Sequence, residues 1–354
     1  MTARCHFSRR HFLGAAVVGG FAVAAPTAGD DAVAQTLSAV KPRRLKPGDT
    51  VGIISPAGAT FVQEQLDIVV DAVRGLGLVP KLAPHVLDRH GYLAGRDEDR
   101  AADVNAFFAD PTVMALLPIR GDVGSARILP YLDYDLIREH PKIITGFSDL
   151  TALLLGIHAQ TGLVTFHGPN GLTAWRDNQI RPFRQVLFEG TRFRFENEIA
   201  GEDRDRIMQT RNRILTLTPG RARGRLYGGN LSVLSGIVGS PYLPDMTGAI
   251  LFVEDIGESI YRIDRMLTQL KLAGILDQLS GFIFGQCTNC GPGADYGSLT
   301  LPEVLQDLIR PLGIPAWSGA MLGHVEPIVT LPLGVEVDID AETGVIQMLS
   351  AAVV

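Results

Sequence analysis

The stretch KIITGFSDLTALLLG, residues 142–156, joins a short apolar run to an Ala/Leu-rich segment through Gly-Phe-Ser-Asp at 146–149. The apolar run predicts a buried strand, and the segment after the joint predicts a helix. A Ser-Asp pair at such a joint is typical of a helix cap, because both side chains accept bonds from free N–H groups. It is also typical of a nucleophile elbow, in which a sharp turn exposes a Ser Oγ and directs backbone N–H groups at an oxyanion. This stretch alone leaves both interpretations open.

Similar apolar runs that end in Gly-rich or polar loops flank this stretch, at residues 50–58, 113–127 and 163–171. Segments with helical spacing of apolar residues lie between them, which predicts a parallel sheet with both faces covered. We therefore expect an α/β chain with a flavodoxin- or Rossmann-like N-terminal sheet domain. In such sheets the ligand crevice lies beyond the carboxyl ends of the strands. The loops expected at this crevice are 55–58, 120–125, 146–149 and 167–171.

The composition changes near residues 190–220, where charged and turn-forming residues replace the apolar runs. Beyond this region the patterns predict strands joined by Gly-containing turns, with only a few helices. We therefore predict two domains joined by a connection at 191–215. The α/β nucleophile domain is expected over 45–190 and a smaller β-rich C-terminal domain over 216–354.

The N-terminus predicts a signal peptide over residues 1–34. Ser-Arg-Arg-His-Phe-Leu at 8–13 precedes a mild Ala/Val/Gly run, and AVAQ at 32–35 offers a small-x-small cleavage site after Ala34. The paired arginines are typical of a twin-arginine signal, so the twin-arginine translocase is an expected partner during export and the periplasm the expected location. An ordinary secretion signal and a single anchor helix are the alternatives. No internal stretch of the remaining chain predicts a membrane span.

Charge and cysteine content exclude several classes of function. The formal net charge of −6 disfavours nucleic acid as a partner, because phosphate binding requires a basic surface. Cys287 and Cys290 form a single Cys-x-x-Cys without the second pair or histidines that a closed zinc site requires, so no metal site is predicted. We favour two loop thiols that can form a tight disulfide after export over a redox pair. No Gly-x-Gly-x-x-Gly follows a predicted strand, which disfavours a cofactor-dependent oxidoreductase.

If Ser148 is a nucleophile, it needs a histidine base, usually oriented by a carboxylate. His167 and His324 both lie in Gly-flanked loops after apolar runs, and Glu254 ends an apolar strand. Spacing alone does not choose between the two histidines.

Longer motifs narrow the choice. PKIITGFSDLTALL, TFHGP, YGGNLSVLSGIVGSPYLPD, ILFVEDIGESIYRIDRMLTQL and GHVEPIVTLPLG occur in this order. Together they resemble the LD-carboxypeptidase family of serine peptidases, which includes the microcin C immunity peptidases. The resemblance implies that Ser148 is the nucleophile and that Glu254 and His324, both from the C-terminal domain, complete its triad.

The same resemblance implies an activity and an oxyanion hole. The expected enzyme is a serine carboxypeptidase that cleaves an L,D-amide bond and releases terminal D-alanine from murein tetrapeptides, without a metal or organic cofactor. Backbone N–H groups of Asp149 and of the Gly121-Asp122 loop are expected to bind the oxyanion. The family's usual Arg-Gly-Gly is Arg120-Gly121-Asp122 here, so either the loop tolerates a side chain or its geometry differs.

Two alternatives and some further residues remain at this stage. Tyr227, Gly229 and Asn230 are predicted to line the crevice, with a tight structural turn as the competing interpretation. The same chemistry on a peptide–nucleotide antibiotic predicts an aromatic stacking residue, for which Trp175 is the candidate. A non-catalytic exported two-lobe binding protein is the alternative from another class. A homodimer stays open, because family members often dimerise.

Overall fold

The computed structural model describes residues 38–293 and 297–354. The predicted signal peptide at 1–34 therefore lies outside the described residues. The strands of the described part, in chain order, are β1 Thr50–Ile54, β2 Val79–Leu82, β3 Val113–Pro118, β4 Ile143–Gly146, β5 Thr165–His167, β6 Arg194–Phe195, β7 Leu215–Thr218, β8 Arg221–Asn230, β9 Ile250–Ile256, β10 Gly281–Thr288, β11 Ala316–Ser318, β12 Leu331–Leu333, β13 Glu336–Asp340 and β14 Val345–Met348.

The α-helices of the same residues are α1 Gln63–Gly75, α2 Asp97–Ala109, α3 Ser125–Ile128, α4 Tyr134–Glu139, α5 Leu150–Thr161, α6 Asp177–Arg184, α7 Leu231–Gly236, α8 Ile260–Leu272 and α9 Leu301–Leu308. Short 3-10 turns lie at Leu129–Tyr131, Gly201–Asp203, Leu276–Gln278 and Arg310–Leu312, and one π-helical turn at Gln185–Glu189. Within the described residues, no helix is long and apolar enough to cross a bilayer.

The first sheet has the strand order β12-β5-β4-β3-β1-β2, and β1 to β5 are mutually parallel in it. β4 is buried along its whole length, as expected for a strand with both faces covered. β12 adds antiparallel to β5 at the edge of this sheet, with Leu331 opposite His167. The parallel N-terminal sheet is confirmed, and the carboxyl ends of β3 and β4 bring the loops after them side by side.

The second sheet has the strand order β6-β14-β13-β8-β9-β10-β11-β7. Its central strands β8 to β11 are parallel, and antiparallel strands flank them on both sides. α8 packs its apolar face inward, burying Ile263, Leu267 and Leu270 at helical spacing. The mixed α/β class is therefore confirmed, and the strand-rich C-terminal part contains a parallel centre of its own.

The described residues cluster as one compact unit. The predicted connection at 191–215 contains the two-residue strand β6, and β12 returns the chain to the first sheet after the second is nearly complete. The boundaries 45–190 and 216–354 stay a prediction. The arrangement places the end of β4 from one sheet close to the end of β9 from the other.

Candidate active site

Ser148 lies on a tight turn between β4, which ends at Gly146, and α5, which begins at Leu150. Its φ of +66° falls in the left-handed region that side chains other than glycine rarely adopt. Such a conformation costs on the order of 1–3 kcal/mol and persists only where the surroundings enforce it. Asn170 contributes to this, because its Oδ1 accepts a hydrogen bond from the Phe147 N–H at 3.2 Å. The turn has the form of a nucleophile elbow rather than of a plain helix cap.

His324 and Glu254 complete a hydrogen-bonded chain with this serine. The distance from His324 Nε2 to Ser148 Oγ is 3.0 Å, and from His324 Nδ1 to Glu254 Oε2 it is 2.8 Å. The backbone N–H of His324 also donates to Glu254 Oε2, at 3.2 Å. Thr288 Oγ1 donates to the His324 carbonyl at 2.8 Å and so holds the loop from the other side.

The hydrogen-bonded series of Ser148, His324 and Glu254 is suited to general-base chemistry at Ser148. Glu254 lies at the buried part of β9 and its side chain is 0% exposed, so it can reach His324 but not bulk water. With Nδ1–H donated to this carboxylate, Nε2 is the free acceptor for the Ser148 hydroxyl proton.

His167, the other histidine that the sequence left open, is not part of the hydrogen-bonded series from Ser148 through His324 to Glu254. Its ring is buried and packs edge-on against Phe252, with ring centres 5.2 Å apart, and against Phe147 at 6.4 Å. Burial and the nearby His324 lower the pKa of His167 to about 3. Of the two candidates, the structure brings only His324 to both Ser148 and Glu254.

Gly121, in the loop before α3, lies close to Ser148. A Cβ built on Gly121 would lie 3.2 Å from Ser148 Oγ and 3.3 Å from the Asp149 backbone nitrogen, contacts tight enough to favour a glycine here. The Asp149 side chain accepts a bond from Ser125 N at 2.7 Å, and Ser125 Oγ donates to the Asp149 carbonyl. Burial raises the pKa of the Asp149 carboxyl. Gly121 and Asp122 line the same cavity as Ser148, and Gly121 lies close to the Asp149 backbone nitrogen. Binding of an oxyanion by these backbone N–H groups stays a prediction.

Asp122 resolves the question raised by the missing second glycine. Its φ is +90°, so the backbone keeps a glycine-like conformation while carrying a side chain. The carboxylate turns back to Arg120, with Asp122 Oδ2 3.4 Å from Arg120 Nη2. The loop thus tolerates the substitution, at the cost of backbone strain.

A buried arginine holds the same loop from behind. Arg100, on α2, donates from Nη1 to the carbonyl of Gly124 at 3.0 Å and to the carbonyl of Pro56. Gly58 N–H in turn donates to the Gly121 carbonyl at 3.0 Å. The predicted crevice loop 55–58 therefore supports the loop at 121–124 and does not itself form the wall of the cavity.

A cavity of about 270 Å³ opens at Ser148. Its lining residues are Gln65, Ile119, Arg120, Gly121, Asp122, Phe147, Ser148, Asn170, Leu172, Thr173 and His324. Three of the four loops predicted at the crevice contribute to this lining. The sequence did not single out Gln65, Asn170 or Thr173. Asn170 lies within the loop 167–171 that was expected at the crevice, whereas nothing in the pattern of α1 marks Gln65.

The four residues predicted to contact substrate have partners inside the protein and are absent from this lining. Tyr227 OH bonds His158 Nε2 at 3.0 Å, and Gly229 packs closely against Thr151. Asn230 caps α7 through Val233 N–H at 3.1 Å and donates to Asp255 Oδ1 at 3.0 Å. The Trp175 Nε1–H donates to the Gly171 carbonyl at 2.9 Å, and its ring packs edge-on against Phe183. Contact of these residues with a substrate stays a prediction.

Two further regions contain groups that could carry chemistry. Cys287 and Cys290 form a disulfide, the pairing that the sequence favoured. Across residues 38–293 and 297–354 there is no cluster of three or more His, Cys, Asp or Glu that could hold a metal ion. A larger cavity of about 580 Å³ lies on the second sheet, but its arginines at 221 and 223 are paired with Asp340 and Asp338, and no Ser, Cys or His of the described residues lines it.

Comparison with known proteins gives a consistent result over most of the chain. Residues 51–168 match the family model of the LD-carboxypeptidase N-terminal domain, and residues 223–339 match that of the LD-carboxypeptidase C-terminal domain. The chain is 40% identical over 313 residues to a probable murein peptide carboxypeptidase of Bacillus subtilis, covering 87% of this chain and 94% of that protein. It is 34% identical over 273 residues to the microcin C7 self-immunity protein MccF of Escherichia coli, covering 70% and 77%.

Solved structures agree with these relatives. MccF in complex with glutamyl sulfamoyl guanosine superposes with a TM-score of 0.78 at 29% identity, covering 89% of this chain and 99% of that one. Muramoyltetrapeptide carboxypeptidase from Oxalobacter formigenes superposes with a TM-score of 0.72 at 26% identity, covering 84% and 97%.

Proposed function

The chain belongs to the LD-carboxypeptidase family of peptidases, and from this premise we propose that it is a serine carboxypeptidase that releases terminal D-alanine from murein tetrapeptides. The observation that carries the proposal is the hydrogen-bonded chain from Ser148 through His324 to Glu254, which opens onto a cavity. Relatives named as murein peptide carboxypeptidases support the substrate class.

In the proposed reaction, His324 Nε2 takes the Ser148 proton as Oγ attacks the carbonyl carbon of the L,D-amide bond. Glu254 keeps the imidazole in the required tautomer and stabilises the imidazolium. Backbone N–H groups of Asp149 and the Gly121-Asp122 loop would hold the negative oxygen of the tetrahedral intermediate. His324 then returns the proton to the amine of the departing D-alanine, and water releases the acyl group from Ser148 by the reverse sequence.

The test is release of free D-alanine from a murein tetrapeptide by the protein starting at Gln35, with Ser148→Ala measured alongside. Release by the wild type and loss in the variant support the proposal. Release by both would remove Ser148 from the mechanism. If folded wild-type protein releases none, the murein substrate is wrong.

The second candidate is the same chemistry on a peptide–nucleotide conjugate, favoured by the likeness to MccF. A stacking residue is expected for such a ligand, and Trp175 packs against Phe183 outside the lining of the cavity at Ser148. We therefore rank it second, and hydrolysis of an aminoacyl sulfamoyl nucleoside in the same assay distinguishes the two. A purely binding protein has no need of the strained serine, and its affinity would survive Ser148→Ala.

Export to the periplasm through the twin-arginine pathway is part of the proposal. The Ser-Arg-Arg-His-Phe-Leu motif at 8–13 supports it, and so does the disulfide at Cys287 and Cys290, which suits an oxidising compartment. We expect the mature protein in the periplasmic fraction, and unprocessed precursor in the cytoplasm when Arg9 and Arg10 are both replaced by lysine. Equal export of both forms would exclude this route.

A further inference from the structure

A carboxypeptidase must distinguish the end of a peptide from its interior, and this inference rests on the proposed function. The distinguishing group is the terminal carboxylate, which binds most specifically to an arginine, because the guanidinium offers two parallel N–H donors to its two oxygens. The scissile carbonyl lies one residue from that carboxylate. The cation must therefore lie close to the nucleophile and must be accessible from the cavity.

Arg120 meets these requirements. Among the residues that line the cavity at Ser148 in the described part of the chain, it is the only Lys or Arg. It directly precedes Gly121, whose backbone makes the close approach to Ser148. Its side chain is 34% exposed, so the guanidinium is accessible to an entering ligand.

Asp122 already presents a carboxylate to this guanidinium. The contact is a single one of 3.4 Å between Asp122 Oδ2 and Arg120 Nη2, which leaves most of the guanidinium's five N–H groups for another partner. Both side chains are partly exposed, Asp122 to 44%, and ion pairs of this kind are weak and easily exchanged. A substrate carboxylate that makes a two-bond contact can therefore replace Asp122.

The backbone at Asp122 has a conformation that favours glycine, yet this position carries an aspartate. Its φ of +90° is strained for a residue with a side chain. The facing residue is Gly58, where an added Cβ would lie only 2.4 Å from the Asp122 Cβ, so the side chain occupies space that a larger neighbour would close. The loop keeps a carboxylate beside Arg120 in spite of the strain.

We propose that Arg120 binds the terminal carboxylate of the substrate peptide, and that Asp122 pairs with Arg120 in the free protein and competes with that carboxylate. Arg120 is then the residue that determines exopeptidase specificity. The Asp122 side chain then weakens substrate binding, a role separate from that of the backbone N–H groups of its loop.

The first experiment compares two tetrapeptides that differ only at the end, one with a free D-alanine carboxylate and one with D-alaninamide. We expect the wild type to prefer the carboxylate in kcat/KM on the order of 10²-fold, the range seen when one partner of a charge pair is removed. Arg120→Gln should reduce the preference to near unity, and Arg120→Lys should retain part of it. A preference that persists unchanged in Arg120→Gln overturns the assignment, as does a wild type that cleaves both peptides equally.

Arg176→Gln is the matched control. Arg176 also forms an exposed ion pair, with Glu326 at 2.9 Å two residues beyond His324, but it does not line the cavity. The preference should remain in this variant. If it falls as far as in Arg120→Gln, the effect comes from the general charge of the region and not from a carboxylate site.

The second experiment tests competition with Asp122→Asn. We expect the preference for the carboxylate peptide over the amide peptide in kcat/KM to rise several-fold, because any effect on the oxyanion loop acts on both peptides alike and cancels in the ratio. Asp122→Gly, which also removes the strain, should raise the same preference. A preference that falls, or one that stays at the wild-type value, overturns the competing role.

Binding separates this inference from the proposed reaction. In Ser148→Ala protein, titration calorimetry with the two peptides should show tighter binding of the carboxylate form, and adding Arg120→Gln should remove the difference. Absence of turnover in the wild type together with this binding difference would reject the reaction and keep the carboxylate site. Equal binding of both peptides would reject the site whatever the turnover.

Discussion

The end of β5 and the loop before β12 each carry a histidine beside a glycine, and they are neighbours in space. Leu331 of β12 pairs with His167, and the Phe147 ring contacts both imidazoles, 6.4 Å from His167 and 5.1 Å from His324 between ring centres. The two histidines differ in what their rings contact. His324 bonds the buried carboxylate of Glu254, whereas His167 is enclosed by aromatic rings.

This difference decides which imidazole can serve as a base. An imidazole buried without a nearby anion resists protonation, which is why the pKa of His167 falls to about 3. A base must accept a proton during the reaction and hold it until the leaving group needs it. At His324 the Glu254 carboxylate accepts the Nδ1–H and leaves Nε2 as the acceptor facing Ser148, so the carboxylate, and not the glycine-flanked loop, distinguishes the two.

The largest expected effect comes from replacing the histidine of each region in turn. If the proposed reaction holds, His324→Ala should lower kcat by on the order of 10⁴–10⁶-fold, as removal of a triad base does in serine hydrolases. His167→Asn should keep kcat within about tenfold while lowering the free energy of unfolding by roughly 1–3 kcal/mol, because it changes a packed core position. Steady-state kinetics and chemical denaturation of both variants make the comparison. Loss of activity in folded His167→Asn equal to that in His324→Ala would contradict it.

The next largest effect tests the carboxylate itself. Glu254→Gln preserves the shape of the side chain but can present an N–H₂ group to His324 Nδ1, which favours the wrong tautomer. We expect kcat to fall by on the order of 10³–10⁴-fold with KM little changed. Because Glu254 Oε2 also accepts the His324 backbone N–H at 3.2 Å, circular dichroism should accompany the kinetics to verify the fold. A fall of less than tenfold would show that the carboxylate is not what distinguishes His324.

The sequence alone could predict the turn that carries Ser148, but not which histidine lies next to it. The strand–turn–helix pattern around 146–149 depends on residues that are neighbours in the sequence. In the structure β4 ends at Gly146 and α5 begins at Leu150, as the pattern indicated. His324 lies 176 residues from Ser148 and 70 from Glu254, so no periodicity relates them. Only the packing of two sheets brings them together, and the choice of His324 came from family resemblance.

Strand β12 shows the same limit in the fold. Its three residues, Leu-Pro-Leu, are too short for a recognisable alternation, and proline is confined to sheet edges or strand ends. Its place beside β5 completes the first sheet with a segment from the C-terminal part of the chain. Positive φ at Ser148 and Asp122 was equally hidden, because the residue types alone do not reveal a backbone conformation that the surroundings enforce.

A third imidazole, that of His158, has neutral hydrogen-bond partners where His324 has a carboxylate. His158 is buried between the Leu163 carbonyl, 2.8 Å from Nδ1, and Tyr227 OH, 3.0 Å from Nε2, and burial lowers its pKa to about 4. Tyr227→Phe leaves the buried Nε2 without its donor, so we expect a loss of about 1–3 kcal/mol in the free energy of unfolding. Urea denaturation measures it. If Tyr227 instead contacts substrate, KM should rise, and unchanged KM with lowered stability would reject that role.

The smallest effect concerns a His–carboxylate pair outside the active site. His85 Nδ1 lies 2.9 Å from Asp103 Oδ1, and the His85 backbone N–H donates to Asp103 Oδ2 at 3.1 Å. The hydrogen bond to Asp103 raises the pKa of His85, with burial opposing it and the charges of Asp103, Asp99 and Asp88 adding to it. Burial of Asp103 raises the pKa of that carboxyl as well.

The sign of the pH dependence follows from these two directions. A folded-state pKa above the unfolded value favours the folded protein at low pH, so the stabilisation from His85 is complete below about 6.5 and is lost as the pH rises through its folded pKa. Asp103 acts in the same direction, beginning near the ordinary carboxyl pKa of about 3.9. His85→Gln should therefore lower the melting temperature more at pH 6 than at pH 8.5, while its kcat keeps the pH profile of the wild type. A larger loss at pH 8.5 would show that Asp103 does not favour the charged imidazole, and that a carboxylate partner alone is insufficient to set the behaviour of a histidine in this protein.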